Sequence, residues 1–331
     1  MIPEGTLILT REEISRLMTF DDYVVAMQNA FRLYAEGQFL SAGILDIPGQ
    51  DGMFHVKAAG MKLKERIYIA VKINGNFPRN AERFGLPTIQ GAILLSDGIT
   101  GYPLAFLDST EITLQRTAGT TAVGAKFLAR PDSHVATVCG CGKQGRMQIL
   151  ALKYVLPLEQ VFAFDLDENR ADQFASEMSR EMGIPVQRAK TLEVAARNSD
   201  AIVTCTTSRQ FFLRQNFVRP GTYVAAVGAD SHDKQELDPN LFTSNKVVTD
   251  ILEQCASMGD LHHALKAGLV TKENVYAELG EIVAGRKPGR TTREEIIILD
   301  TTGTAIQDVA CAAIAYERVM SSGAGTFCKL G

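Results

Sequence analysis

The chain has 331 residues, a length of about two domains, with 46% hydrophobic and 22% charged residues. Its 34 basic and 38 acidic residues leave a formal net charge of −4 at pH 7 and no basic stripe, which argues against a nucleic-acid-binding role. No apolar run approaches the ~20 residues that span a bilayer. The opening Met1-Ile2-Pro3-Glu4-Gly5 has neither a basic n-region nor an apolar signal core, so a soluble cytoplasmic protein is expected.

Thr10-Arg11-Glu12-Glu13 is a capping-box pattern that opens a short helix. A second helix follows Asp21-Asp22, with Tyr23, Ala26, Met27, Ala30, Phe31 and Tyr34 at helical spacing and Gly37 to end it. Strands are predicted over 55–59, 67–73, 92–96 and 102–107, with Asp97-Gly98 and Thr100-Gly101 at the last turn. Two helices and an antiparallel sheet make an α+β domain ending near residue 115. Beyond residue 134, strand and helix alternate. Strands are expected over 134–138, 160–165, 185–189, 201–205, 222–227, 246–249 and 295–299, with a helix over 168–182. Near-continuous Val, Ile and Ala strands imply a parallel sheet covered on both faces. A long helix over 304–320 closes the chain, with Val309, Ala313 and Tyr316 on a packing face. The fold expected is α/β: a Rossmann-type doubly wound parallel sheet plus an α+β N-terminal domain.

The six cysteines (139, 141, 205, 255, 311 and 328) form no C-x-x-C pair and read as reduced residues of a cytosolic chain. The five histidines include no H-E-x-x-H, and His262 and His263 should point apart on a helix. No metal site is expected.

The strongest motif follows the strand over 134–138. Cys139-Gly140-Cys141-Gly142-Lys143-Gln144-Gly145 is G-x-G-x-x-G between a strand and a helix. Gly140 permits the tight turn, Gly142 lets backbone approach a pyrophosphate, and Gly145 lets the helix sit close to the strand. The amides of Cys141, Lys143 and Gln144 complete a phosphate cradle. Asp165 ends the next strand, 20 residues beyond Gly145, where a carboxylate binds the adenosine ribose and repels a 2′-phosphate. It favours NAD over NADP, with Arg170 nearby as a countervailing charge. Thr206-Thr207-Ser208 and Gly228-Ala229-Asp230 follow later strands and would line the same crevice, although Ser, Thr and Gly are common in any loop.

Three charged residues stand in apolar surroundings. Lys72 interrupts Ile67-Tyr68-Ile69-Ala70-Val71-Lys72-Ile73, so it lies on an exposed edge or points into a cleft, where it would bind a carboxylate or activate a carbonyl or imine. Arg116 opens a small-residue helix and has the planar fork for a carboxylate. Asp230 follows an apolar strand, where a carboxylate can carry protons.

The sequence resembles the ornithine cyclodeaminase/mu-crystallin family over nearly its whole length. The resemblance lies in Val71-Lys72-Ile73-Asn74-Gly75-Asn76-Phe77-Pro78, Gly85-Leu86-Pro87-Thr88, Thr100-Gly101-Tyr102-Pro103-Leu104-Ala105 and Arg116-Thr117-Ala118. It continues through the glycine motif, Val227-Gly228-Ala229-Asp230, Gln235-Glu236-Leu237-Asp238, Glu278-Leu279-Gly280-Glu281 and Asp300-Thr301-Thr302-Gly303. It implies that Lys72 and Arg116 hold a substrate carboxylate, that Asp230 is the acid/base, and that Thr117 and Thr121 lie near the cofactor phosphates. It also implies a homodimer formed through the N-terminal sheet. The division is then a substrate-binding and dimerisation domain, 1–127 with 304–331 packing back, and an NAD-binding domain, 128–303.

Two departures separate the chain from the family's cyclodeaminases. Their arginine is missing from Ser41-Ala42-Gly43-Ile44, and their acidic residue on the next strand is His55, with Lys57 as a substitute carboxylate contact. His232 also follows Asp230 where a small residue is usual. Thr304-Ala305-Ile306-Gln307-Asp308-Val309 resembles the alanine dehydrogenase branch. The expected function is an NAD-dependent oxidoreductase acting on the CH–NH2 or C=N of a small L-amino or imino acid. A redox-neutral ammonia-lyase making proline or a homologue, and a non-catalytic crystallin-like binding protein, are the alternatives.

Overall fold

The computed structural model describes residues 5–323 and 325–329; the opening residues 1–4 lie outside them. The chain divides into two compact units, one ending at Arg116 and resuming at Thr304, the other running Thr117–Gly303.

The first unit contains β1 (Thr6–Leu9), α1 (Arg11–Leu17), α2 (Phe20–Ala35), β2 (Phe39–Pro48), β3 (Met53–Leu63), β4 (Arg66–Asn76), α3 (Asn80–Phe84), β5 (Ile89–Asp97), β6 (Pro103–Asp108) and the start of α4 (Ser109–Leu128). Thr10 and Thr19 close capping boxes with Glu13 and Asp22, satisfying amides that the first turns of α1 and α2 leave unpaired. Tyr23, Met27 and Phe31 on α2 are fully buried, each contributing about 1.5–3 kcal/mol of apolar burial. The long neighbours β2 to β6 form an antiparallel meander. The sheet is not purely antiparallel, however: β1 joins β6 in parallel.

The second unit continues with β7 (Val135–Cys139), α5 (Lys143–Val155), β8 (Gln160–Phe164), α6 (Glu168–Met182), β9 (Val186–Arg188), α7 (Leu192–Arg197), β10 (Ala201–Thr204), β11 (Arg209–Leu213), β12 (Tyr223–Ala226), β13 (Gln235–Leu237), α8 (Leu241–Ser244), β14 (Lys246–Thr249), α9 (Leu252–Met258), α10 (Asp260–Lys266), β15 (Ala277–Glu278), α11 (Leu279–Val283) and β16 (Ile297–Asp300). The chain then returns to the first unit as α12 (Ala305–Ser322), which packs on α2, β3 and β4, and β17 (Thr326–Cys328), which edges the first sheet beside β1.

The second unit's main sheet is parallel and ordered β15-β14-β16-β12-β10-β7-β8-β9. Read from β9, the first five strands follow the doubly wound 3-2-1-4-5 order, with the topological switch between β7 and β10, and β16 takes the sixth place although β14 and β15 precede it in the chain. Every residue of β10, β12 and β16 is buried, as strands covered on both faces require. Among the described residues no helix is long and apolar enough to cross a membrane.

Candidate active site

In the first unit, antiparallel register puts Lys57 of β3 directly opposite Lys72 of β4, and His55 opposite Asn74. All four side chains therefore share one face. Lys57, Lys72 and Asn74 are buried, as is Arg116 on α4. The Lys72 side chain points inward rather than to an exposed edge. The partner is Asp308, in the first turn of α12 and 1% exposed. Its Oδ2 lies 2.7 Å from Lys72 Nζ and its Oδ1 3.3 Å from Arg116 Nε. Arg116 Nη1 donates to Gln307 Oε1 at 2.8 Å. Burial pushes the Lys72 ammonium down to about 7; Asp308 opposes this, while Arg116 and Lys57 add repulsion.

Around this cluster, Ser109 Oγ donates to Asn74 Oδ1 at 2.5 Å. Gly91 makes room for that amide, because a Cβ there would lie 2.3 Å from Asn74 Oδ1. His55 Nδ1 is 2.7 Å from Asp46 Oδ1 across the β2–β3 ladder, so a carboxylate orients the ring. Asp308 and Gln307 are the site residues that sequence reasoning missed. Their signal is a polar pair inside an otherwise apolar, fully buried helical stretch, which cannot be left without partners.

In the second unit, β7 leads into the glycine turn and α5. Gly140 has φ +103°, open only to glycine at low cost. A Cβ on Gly145 would lie 2.0 Å from the Gly140 carbonyl oxygen, so only glycine lets α5 approach β7 this closely. Gly142 is the N-cap of α5, makes no side-chain cap and faces open space. The amides of Lys143 and Gln144 open the helix behind it. This cradle fits a dinucleotide pyrophosphate. Asp165, just after β8, accepts the Cys141 N–H at 2.9 Å and the Asp167 N–H at 3.0 Å, and Arg170 lies 3.8 Å away. The carboxylate therefore also anchors the glycine turn.

Thr206 and Thr207 follow β10, and the Thr206 N–H donates to Glu236 Oε1 at 2.6 Å. Asp230, in the loop after β12, pairs with Lys234 at 2.5 Å. Burial alone would lower the Lys234 ammonium, but Asp230 and Glu236 hold it above its ordinary value. Lys234 and Glu236 were also missed as site residues. Thr121 is buried on α4 and Thr117 half-buried on the same helix. His262 and His263 do not point apart: their rings meet edge to face, with centroids 5.3 Å apart. Hydrogen bonds to the Ala256 and Lys234 carbonyls fix the two rings there. Among the described residues no group of three or more His, Cys, Asp or Glu is placed to hold a metal ion.

Comparison with known proteins gives this geometry its context. The ornithine cyclodeaminase/mu-crystallin family matches over residues 4–323. The chain belongs to this family. Within it, the chain is 37% identical to the alanine dehydrogenase of Archaeoglobus fulgidus, over 98% of each chain. A solved structure of an archaeal alanine dehydrogenase dimer with bound NAD superposes with a TM-score of 0.92 at 37% identity, covering 99% of this chain and 100% of that one. The Delta(1)-pyrroline-2-carboxylate reductase of Thermococcus litoralis, in complex with NADH and L-proline, superposes with a TM-score of 0.91 at 32% identity, over 98% and 100%.

Proposed function

We propose that this member of the ornithine cyclodeaminase/mu-crystallin family is an NAD-dependent oxidoreductase of a small L-amino acid or a (cyclic) imino acid. The observation that carries this reading is the buried Lys72–Asp308–Arg116 cluster. Burying charge costs several kcal/mol per ion, and two cations held side by side by one carboxylate suit the carboxylate of an amino acid. The glycine cradle in the same chain supplies the cofactor site, and the relatives that bind NAD or NADH support the choice of cofactor.

A nicotinamide cofactor held by the 140–145 cradle would supply the acceptor for a hydride from the substrate Cα, or the donor in the reverse direction. Lys72 and Arg116 hold the substrate carboxylate and so fix the position of Cα, a contribution of orientation. Asp308 and Gln307 fix the Arg116 guanidinium, and Lys57 offers a third cation on the sheet face that carries Lys72. His55, oriented by Asp46, meets the substrate's side chain. Asp230 takes a proton from the ammonium group, or from the water that attacks the imine carbon, and Lys234 keeps the Asp230 carboxylate paired until then. Asp165 holds the adenosine ribose and selects NAD over NADP; Thr117 and Thr121 contact the cofactor phosphates.

Two copies pair through the outer face of the first sheet. Leu45, Ile47, Phe54, Ile73, Leu94 and Phe106 are all exposed there on adjacent strands, an apolar face that a second copy would cover. The free thiols fit a reducing cytoplasm.

A screen of amino acids with NAD, and of cyclic imines with NADH, followed at the NADH absorbance band together with ammonia, tests the reading. Net NADH formation or consumption is expected. Ammonia and a cyclic imino acid without net NADH would replace it with a redox-neutral ammonia-lyase. Ligand binding with no turnover, undisturbed by Lys72→Ala, would replace it with a binding protein.

A further inference from the structure

Glu236 takes no part in the chemistry above, yet it is wholly buried between two loops of the site. Its Oε1 accepts the Thr206 N–H at 2.6 Å, and its Oε2 accepts the Gly228 N–H at 2.9 Å. Thr206 follows β10 and Gly228 follows β12, the fourth and fifth strands of the doubly wound order. Those strands begin the second mononucleotide half, opposite the adenosine half built on β7, β8 and β9. Gly228 leaves room for nothing else: a Cβ there would lie 2.5 Å from the Glu236 carboxylate.

Glu236 is itself held. Its N–H and that of Leu237 donate to Asp260 Oδ1 at 2.8 and 2.9 Å. The Asp260 and Leu261 N–H groups in turn donate to Asp300, at the end of β16, at 3.3 and 2.9 Å. A relay of carboxylates and backbone amides thus runs from the centre of the sheet through α10 and β13 to the two loops. The last link needs a carboxylate, because two N–H donors on separate loops require two acceptor oxygens; an amide presents one oxygen and an opposed NH2 group.

Resting on the oxidoreductase reading, we propose that Glu236 is a positioning residue for the nicotinamide half of the cofactor. It clamps together the loops that carry Thr206, Thr207 and Asp230, while the cradle at 140–145 and Asp165 hold the other half. Loosening the clamp frees the nicotinamide end and leaves the ADP end bound.

Titration of the full-length protein and its variants with NADH and with ADP-ribose, which lacks the nicotinamide ring, separates the two ends. Glu236→Ala is expected to weaken NADH about tenfold or more while ADP-ribose changes less than about twofold, and Glu236→Gln falls between. Gly228→Ala leaves Glu236 present but displaces its carboxylate, and the same selective loss is expected. That variant keeps the test open should Glu236→Ala fail to fold. In steady state the variants lose kcat more than they change the KM of the amino acid. Equal weakening of NADH and ADP-ribose, or no change in either, overturns the inference while wild-type NADH binding leaves the oxidoreductase reading standing. A wild type that binds neither ligand overturns both.

Discussion

Asp308 stands between two buried cations, and removing it strands both. Asp308→Ala is expected to lower the unfolding free energy by about 3–5 kcal/mol, the usual cost of breaking a buried pair from one side, measurable by urea denaturation. Asp308→Asn keeps the shape and removes the charge. Lys72 is cationic below its pKa of about 7 and neutral above it, so the KM for a carboxylate substrate should rise with pH from about 7 upward. Losing the Asp308 charge removes support for the ammonium form, lowers that pKa and moves the rise to more acidic pH. A KM–pH profile identical to wild type would contradict the assigned pairing. Asp165→Ala should narrow the preference for NAD over NADP by about tenfold in kcat/KM, because the carboxylate no longer repels the 2′-phosphate; an unchanged ratio would refute its role. The burial of Lys72 is legible in the sequence because a cation in an apolar run has few reasons to be there unless it is paired inside. Asp308 shows as a polar residue in an apolar helical stretch, but its partner, like that of Glu236, is far away in sequence: Lys72 for one, the Thr206 amide for the other.

Among the elements, α6 is legible to the residue because an amphipathic repeat lies between Asp167, which caps its first turn, and Gly183, whose φ of +65° ends it. The glycine turn is equally legible, since Gly140 and Gly145 each answer a separate steric demand. Gly145→Ala tests this. Its Cβ would press on the Gly140 carbonyl, so α5 must move away from β7. NADH affinity should fall at least tenfold and stability by about 1–3 kcal/mol, the usual cost of overpacking; calorimetric titration and thermal unfolding read the two effects. Wild-type affinity in this variant would remove the cradle from the account. By contrast, β2 escapes sequence reading. A bulge at Ser41, with φ +26°, breaks its alternation, and most of its residues are exposed, so no clean period of two survives. The short strands β1 and β17 carry too few residues for a pattern, and their pairing is set by the sheet they join.

At the scale of the whole molecule, the apolar outer face of the first sheet and the site chemistry each make a separate demand. Ile73→Arg combined with Phe106→Arg puts two charges on that face and should convert a dimer to a species with the 36.0 kDa protomer mass by sedimentation. A wild type already monomeric at micromolar concentration would remove the proposed pairing. The strand–helix alternation of the second unit is legible from near residue 134, whereas the division of the chain at Arg116–Thr117 falls inside α4 and carries no break in the helical pattern. The resemblance implies that 304–331 packs back on the first domain, but that α12 lies against β3 and β4 is not legible, because these segments are more than 200 residues apart. That contact completes the Lys72–Asp308–Arg116 cluster, on which the account depends most. Its most direct measurement is the fate of the substrate's α-hydrogen. L-Alanine, L-proline and L-ornithine deuterated at Cα are each incubated with NAD, and the nicotinamide product is analysed by mass spectrometry. NADH carrying one deuterium is expected, in net amount matching the oxidised substrate, with loss of that signal in Lys72→Ala. Ammonia released without net deuterated NADH, or deuterium transfer undiminished in Lys72→Ala, would contradict it.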